Sequence, residues 1–129
     1  DRVLRTFAER IRETKRDSDI AGRFGGEEYI LILPETDRAE AFQFSERLRA
    51  MVESERLDLD DAPGNGTPPA QSGSSGVTAI LRFTVSIGVA TYPENGDTDK
   101  ALFSAADAAL YDAKRSGRNL VRPALDQIA

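Results

Sequence analysis

The 129-residue chain contains no cysteine, no histidine and no tryptophan. Without cysteine there can be no disulfide, no thiolate nucleophile and no cysteine-zinc site. Without histidine, proton transfer falls to carboxylate, lysine, tyrosine or water, and any metal must be held by oxygen. The chain also lacks an excess of basic charge: 17 Lys and Arg against 22 Asp and Glu leave a formal net charge of -5. That balance argues against a nucleic-acid or membrane-surface binder, which needs a basic face. An anionic ligand must therefore be held by a few placed cations. No apolar run is long enough to span a bilayer and no signal peptide is visible, so the expectation is a cytoplasmic segment without membrane contact. The length suits one domain over 1–129 with a real core.

What is present centres on Arg23-Phe24-Gly25-Gly26-Glu27-Glu28-Tyr29, followed by Ile30-Leu31-Ile32-Leu33-Pro34. The apolar run predicts a strand buried on both faces and ended by the proline. A Gly-Gly pair between two strand-like pieces predicts a tight hairpin. Lacking Cβ atoms, Gly25 and Gly26 also let a large anion approach the backbone. Glu27 and Glu28 at the tip are hard oxygen ligands of the kind Mg²⁺ takes alongside substrate phosphates. The plainer alternative for these four residues is an ordinary solvated turn.

Around this stretch the pattern is mixed helix and strand. Val3, Leu4, Phe7, Ala8 and Ile11 form the stripe of an amphipathic helix from Asp1 to about Thr14, with Asp1 a possible cap. Arg16 and Asp19 stand three apart, as an exposed ion pair or as a polar ligand site. Glu35-Thr36-Asp37 starts a helix reaching about Arg56, with Ala41, Phe42, Ser45, Leu48 and Val52 inward and Phe44 and Met51 widening the stripe. Residues Leu57 to Gly76 turn acidic and then rich in Gly, Pro, Ser and Asn, and predict a flexible insertion. Val77 to Tyr92 predicts one long bent strand or a strand pair, with Gly88 marking close packing or a bulge. After the turn Pro93-Glu94-Asn95-Gly96-Asp97, a helix from about Thr98 to Ser116 carries Leu102, Ala105, Ala106, Ala109, Leu110 and Ala113, and Gly117 stops it. Lys114 and Arg118 flank its end, where they complement the helix dipole. The element order is that of an α+β domain with helices on an antiparallel-rich central sheet.

Several blocks resemble the GGDEF family, the diguanylate cyclases, in a GGEEY variant. They are Asp1-Arg2-Val3-Leu4, Arg16-Asp17-Ser18-Asp19, the Gly25-Gly26-Glu27-Glu28-Tyr29 signature, Thr84-Val85-Ser86-Ile87-Gly88-Val89-Ala90, and Ala106 through Asn119. The resemblance implies a palm-like fold shared with nucleotidyl cyclases, here without the family's first central strand. It implies condensation of two GTP into cyclic di-GMP with release of pyrophosphate, on a homodimer in which each domain holds one GTP. Asp1 and Leu4 would meet guanine, Gly25 and Gly26 would line the phosphate path, and Lys114 and Arg118 would hold the β- and γ-phosphates. Glu27 would bind Mg²⁺ (or Mn²⁺) and accept a proton, with Glu28 beside it. Arg16, Asp19 and Arg47 would form the inhibitory site for product, although Arg47 reads equally as a solvated surface residue. The family's Asp-x-Asp segment lies ahead of Asp1, so these 129 residues alone are expected to be impaired, with sensor or other domains in the parent protein. The alternative is a non-catalytic module that binds cyclic di-GMP or GTP.

Overall fold

A computed structural model describes residues 2–58 and 80–126. Helix α1 (Arg2–Thr14) leads into β1 (Ile20–Arg23) and β2 (Tyr29–Ile32), then α2 (Arg38–Glu53), β3 (Leu57–Asp58), β4 (Ile80–Leu81), β5 (Ile87–Val89), α3 (Asp99–Arg115) and β6 (Val121–Pro123). The α+β class is as expected. Among the described residues the strands form three separate two-stranded ladders rather than one sheet. β1–β2 and β3–β4 are antiparallel, and β5–β6 is parallel. The parallel pair follows from its connection, because α3 supplies the crossover that parallel neighbours require.

The helices start where local chemistry satisfies their first amides. Asp37 caps α2 by accepting the Glu40 N–H at 2.8 Å, while the Glu40 carboxylate accepts the Asp37 N–H at 3.0 Å. Thr98 caps α3 through the Ala101 N–H. At the other end of α3, Gly117 adopts φ 117°, which a side chain would resist.

The core is Ile11 of α1 against Phe44, Leu48 and Val52 of α2. Phe7, Tyr29, Leu31, Leu33, Phe83, Val85 and Ile87 pack around it. Tyr29, Leu31 and Leu33 alternate inward, and the Phe7 and Tyr29 rings meet edge to face at 5.0 Å, seating α1 on β2. The expected strand buried on both faces is therefore a half-buried one: Ile32 is 55% exposed. Its cross-strand partner Ile20 is likewise exposed, since nothing among the described residues covers that face of the hairpin. On α2 the stripe also shifts: Phe44 is buried and Phe42 points outward, because the partner helix lies on the Phe44 side.

Two more expectations change and one alternative is decided. The connection between β1 and β2 is not a tight two-residue turn. Arg23–Tyr29 is the last register pair, leaving five residues, and neither Gly25 nor Gly26 has positive φ. Of the two readings for Val77–Tyr92, one long bent strand or a strand pair, the described residues hold two short strands, Ile80–Leu81 and Ile87–Val89, with 82–86 between them. Leu57 and Asp58, placed in the insertion, pair with Leu81 and Ile80, and the rest of that segment (59–79) lies outside the described residues.

Gly88 is the point of closest approach between β5 and α3. A Cβ built there would stand 2.2 Å from the Ala106 carbonyl oxygen and 2.4 Å from the Leu110 nitrogen. Both are backbone atoms, so the helix itself would have to move. Ala109 and Ala113, buried on the facing side of α3, keep that distance short. The Gly88→Ala variant should lose about 1–3 kcal/mol, the usual cost of overpacking. A urea midpoint equal to wild type would contradict that packing.

Candidate functional site

The glycine loop is held from below by Arg23. Its guanidinium donates to the Gly25 carbonyl at 3.3 Å and to the Gly26 carbonyl at 3.1 and 2.5 Å. This engages the carbonyl oxygens that would otherwise repel an incoming anion. The Phe24 N–H donates to the Glu28 carbonyl at 2.8 Å and closes the loop. The Phe24 ring leans on Phe103 of α3 at 5.2 Å between centroids, docking the loop on that helix. A Cβ at Gly26 would meet nothing within 4 Å, and one at Gly25 only Glu28 Oε1 at 4.0 Å. The protein's own packing does not demand these glycines. Both are exposed to solvent.

Glu28 and Lys114 line one hollow of about 140 Å³, together with Asp107, Leu110 and Tyr111. The last three, with Lys114, fall at i, i+3, i+4 and i+7 on α3 and share one helical face. Asp107 and Tyr111 were absent from the expected site, although this spacing was there to be read. Glu27 is exposed at the loop tip, and Arg118 is exposed just past α3. Neither lines this hollow. Leu4 is half-buried on α1, and Asp1 lies outside the described residues.

The arrangement is chemically definite. A lysine offers a point charge to a phosphate, an adjacent loop offers space, and carboxylates offer hard oxygens. Among the described residues no three acidic side chains cluster closely enough to hold a metal by themselves. Glu28 and Asp107 at the hollow offer hard carboxylate oxygens, the donor type that suits a divalent ion held by one or two protein carboxylates.

A second hollow, also about 140 Å³, gathers Arg16, Asp19 and Arg47 with Thr14, Leu33, Thr36, Glu40 and Phe44. Arg47 lies over the Phe44 ring, 5.9 Å from its centroid. The Asp19 carboxylate is buried and occupied: it accepts the Arg16 backbone N–H at 2.8 Å and Arg16 Nη2 at 3.0 Å. Nη2 of Arg16 also reaches the Pro34 carbonyl at 2.9 Å and Thr36 Oγ1 at 2.7 Å. In this conformation Asp19 orients Arg16 rather than presenting its own oxygens to a ligand.

This α+β architecture sets an open glycine loop beside the lysine-bearing end of a helix. The chain belongs to the GGDEF family: the family profile described as "Diguanylate cyclase, GGDEF domain" matches residues 1–120. It is 38% identical over 121 residues to the response regulator PleD of Caulobacter vibrioides, covering 94% of this chain and 23% of PleD. The chain thus spans about a quarter of the length of that curated relative. Two solved structures show the same fold. The diguanylate cyclase SiaD of Pseudomonas aeruginosa, in complex with its activator SiaC, matches with a TM-score of 0.73 at 36% identity over 95% of this chain and 40% of SiaD. The GGDEF domain of DgcB from Caulobacter crescentus, in complex with c-di-GMP, matches with a TM-score of 0.72 at 31% identity over 95% of this chain and 63% of that one.

Burial alone would raise the Asp19 pKa. The hydrogen bonds from the Arg16 side chain and backbone, with the charges of Arg16 and Lys15, outweigh it and hold the carboxyl below its ordinary range. A carboxyl depressed in the fold contributes stability above its unfolded pKa and loses it as pH falls through the folded one. The gap in stability between wild type and Asp19→Asn should therefore be full at neutral pH and close below about pH 4. Denaturation at pH 7 and pH 3 measures it, and a gap that widens on acidification would reverse the assignment.

Proposed function

We propose that this domain condenses two GTP into cyclic di-GMP with release of pyrophosphate, working as a homodimer in which each domain holds one nucleotide. The observation that carries the reading is that Glu28 and Lys114 line one hollow, next to two glycines with open Cβ positions. Lys114 and Arg118 take the β- and γ-phosphates, Gly25 and Gly26 line their path, and Leu4 with Asp1 contacts guanine. Glu27, with Glu28 beside it, supplies carboxylate oxygen to Mg²⁺ (or Mn²⁺) arriving on the triphosphate. When bound, that ion neutralises phosphate charge and acidifies the attacking hydroxyl. The chain's own residues position and orient: the lysine and arginine align the phosphates, and the Glu27 carboxylate receives the hydroxyl proton.

Product restrains the enzyme through Arg16, Asp19 and Arg47. Support comes from the two arginines sharing one hollow, and from the similar DgcB domain, whose structure contains c-di-GMP. An arginine fork suits guanine O6 and N7. Arg47→Ala should weaken cyclic di-GMP binding about 10-fold, the value of one charge-assisted bond. Calorimetry showing unchanged affinity would remove this site.

Turnover of GTP by the intact protein tests the main reading. Lys114→Ala should lower kcat/KM by about 10- to 100-fold, matching the loss of a charged hydrogen bond worth roughly 1.5–3 kcal/mol. Glu27→Gln should abolish product while leaving the fold intact, since Glu27 is exposed. Cyclic di-GMP binding without any GTP turnover in wild type would leave only a binding module.

A further inference from the structure

Past the end of α3 the backbone makes an uncommon turn. Arg118 has φ 65° and Asn119 has φ 53°, two consecutive non-glycine residues in the left-handed region. Such residues persist only where their surroundings hold them. Here the holding is visible and centres on Asn119. Its backbone N–H donates to Ser86 Oγ at 3.1 Å. Its side-chain amide is gripped from both sides by α2: Oδ1 accepts from Arg49 Nη1 at 2.9 Å, and Nδ2 donates to Glu53 Oε2 at 2.7 Å. Arg49 is fixed in turn by Glu46 at 2.6 Å and by Glu53 at 3.2 Å. Arg118 is tied through its backbone, its N–H donating to the Ala113 carbonyl at 3.0 Å, while its side chain is exposed.

A clamp of this kind on one residue leaves the neighbouring residue's direction determined. We propose that Asn119 is a positioning residue: held by Arg49, Glu53 and Ser86, it locks the left-handed turn that presents the Arg118 guanidinium to the triphosphate. This rests on the phosphate role proposed above for Arg118. It gives α2, which contributes nothing to the Glu28–Lys114 hollow, a part in substrate binding.

Asparagine suits the position on two counts. It tolerates the left-handed region better than most residues, and it is both donor and acceptor, so it satisfies an arginine and a glutamate at once. Glu53 registers the contact: the hydrogen bond from Asn119, and then that from Arg49, hold its carboxyl below the ordinary value.

Steady-state GTP kinetics on the intact protein test this with Asn119→Gly, Arg118→Ala and the double variant. Glycine adopts positive φ without cost, so the change removes the clamp without adding strain. Asn119→Gly should raise KM about tenfold with kcat within about twofold of wild type. Arg118→Ala should raise KM at least as much, and the double variant should be no worse than Arg118→Ala alone. Arg49→Met, which removes the Oδ1 partner from another element, should move KM in the same direction and stands in if Asn119→Gly does not fold. Effects that multiply in the double variant overturn the proposal, as does an unchanged KM for Asn119→Gly beside an impaired Arg118→Ala. An unchanged KM for Arg118→Ala overturns the phosphate reading itself, and the positioning role with it.

Discussion

The near contact of β5 with α3 at Gly88 sets the geometry on which the rest of the molecule depends. No side chain separates strand from helix there, so the helix backbone rests directly on the strand backbone. Ala109 and Ala113 extend that flat contact. A helix seated this closely can neither roll nor slide without a clash, because packed interiors yield little. Its outward edge, carrying Asp107, Tyr111 and Lys114, is thereby held at a set height beside the glycine loop. The loop is tied to the same helix through Phe24 and Phe103. The two halves of the candidate phosphate site thus share one mechanical reference, and the smallest residue in the chain supplies it.

The acidic composition makes the placement of each cation informative. Arg23 is spent on the loop's own carbonyls, Arg16 on Asp19, Pro34 and Thr36, and Arg49 on two glutamates and Asn119. Lys114 lines a hollow instead, and the Arg118 side chain is exposed. In a chain of net charge -5, long-range attraction does not draw an anion in. On the function proposed above, affinity for a triphosphate comes from these few short-range contacts of charged donors.

Much of this was legible in the residues themselves. Glu35-Thr36-Asp37 signals a helix start and Gly117 after an alanine-rich stripe signals a stop; α2 begins after Asp37, and Gly117 adopts φ 117°. The family resemblance pointed to the glycine loop, Lys114 and the arginines of the second hollow. What stayed hidden was tertiary. A Gly-Gly pair signals a two-residue turn only if the strands pair right up to it, and here pairing ends at Arg23 and Tyr29. Phe42 and Phe44 flank the same helical stripe, so periodicity alone cannot say which one the neighbouring helix covers. Asp107 and Tyr111 were visible as one face with Lys114, but which face of α3 meets the loop depends on Gly88. Asn119 gave no signal, because its partners Arg49 and Glu53 lie 70 and 66 residues earlier.

Helix α2 joins these observations. Successive residues on an α-helix are about 100° apart, so Arg47 and Arg49 point in nearly opposite directions. Arg47 turns to the hollow it shares with Arg16, and Arg49 turns to Asn119. Between them Leu48 is buried in the core, with Phe44 and Val52 one turn to either side. One rigid rod therefore carries a residue of each region on opposite flanks while its spine is locked in the interior. The core does more than stabilise: burying that spine fixes the orientation of Arg47 and Arg49 together. A substitution at Leu48 would be felt on both flanks, because both arginines are carried by the helix that it anchors in the core.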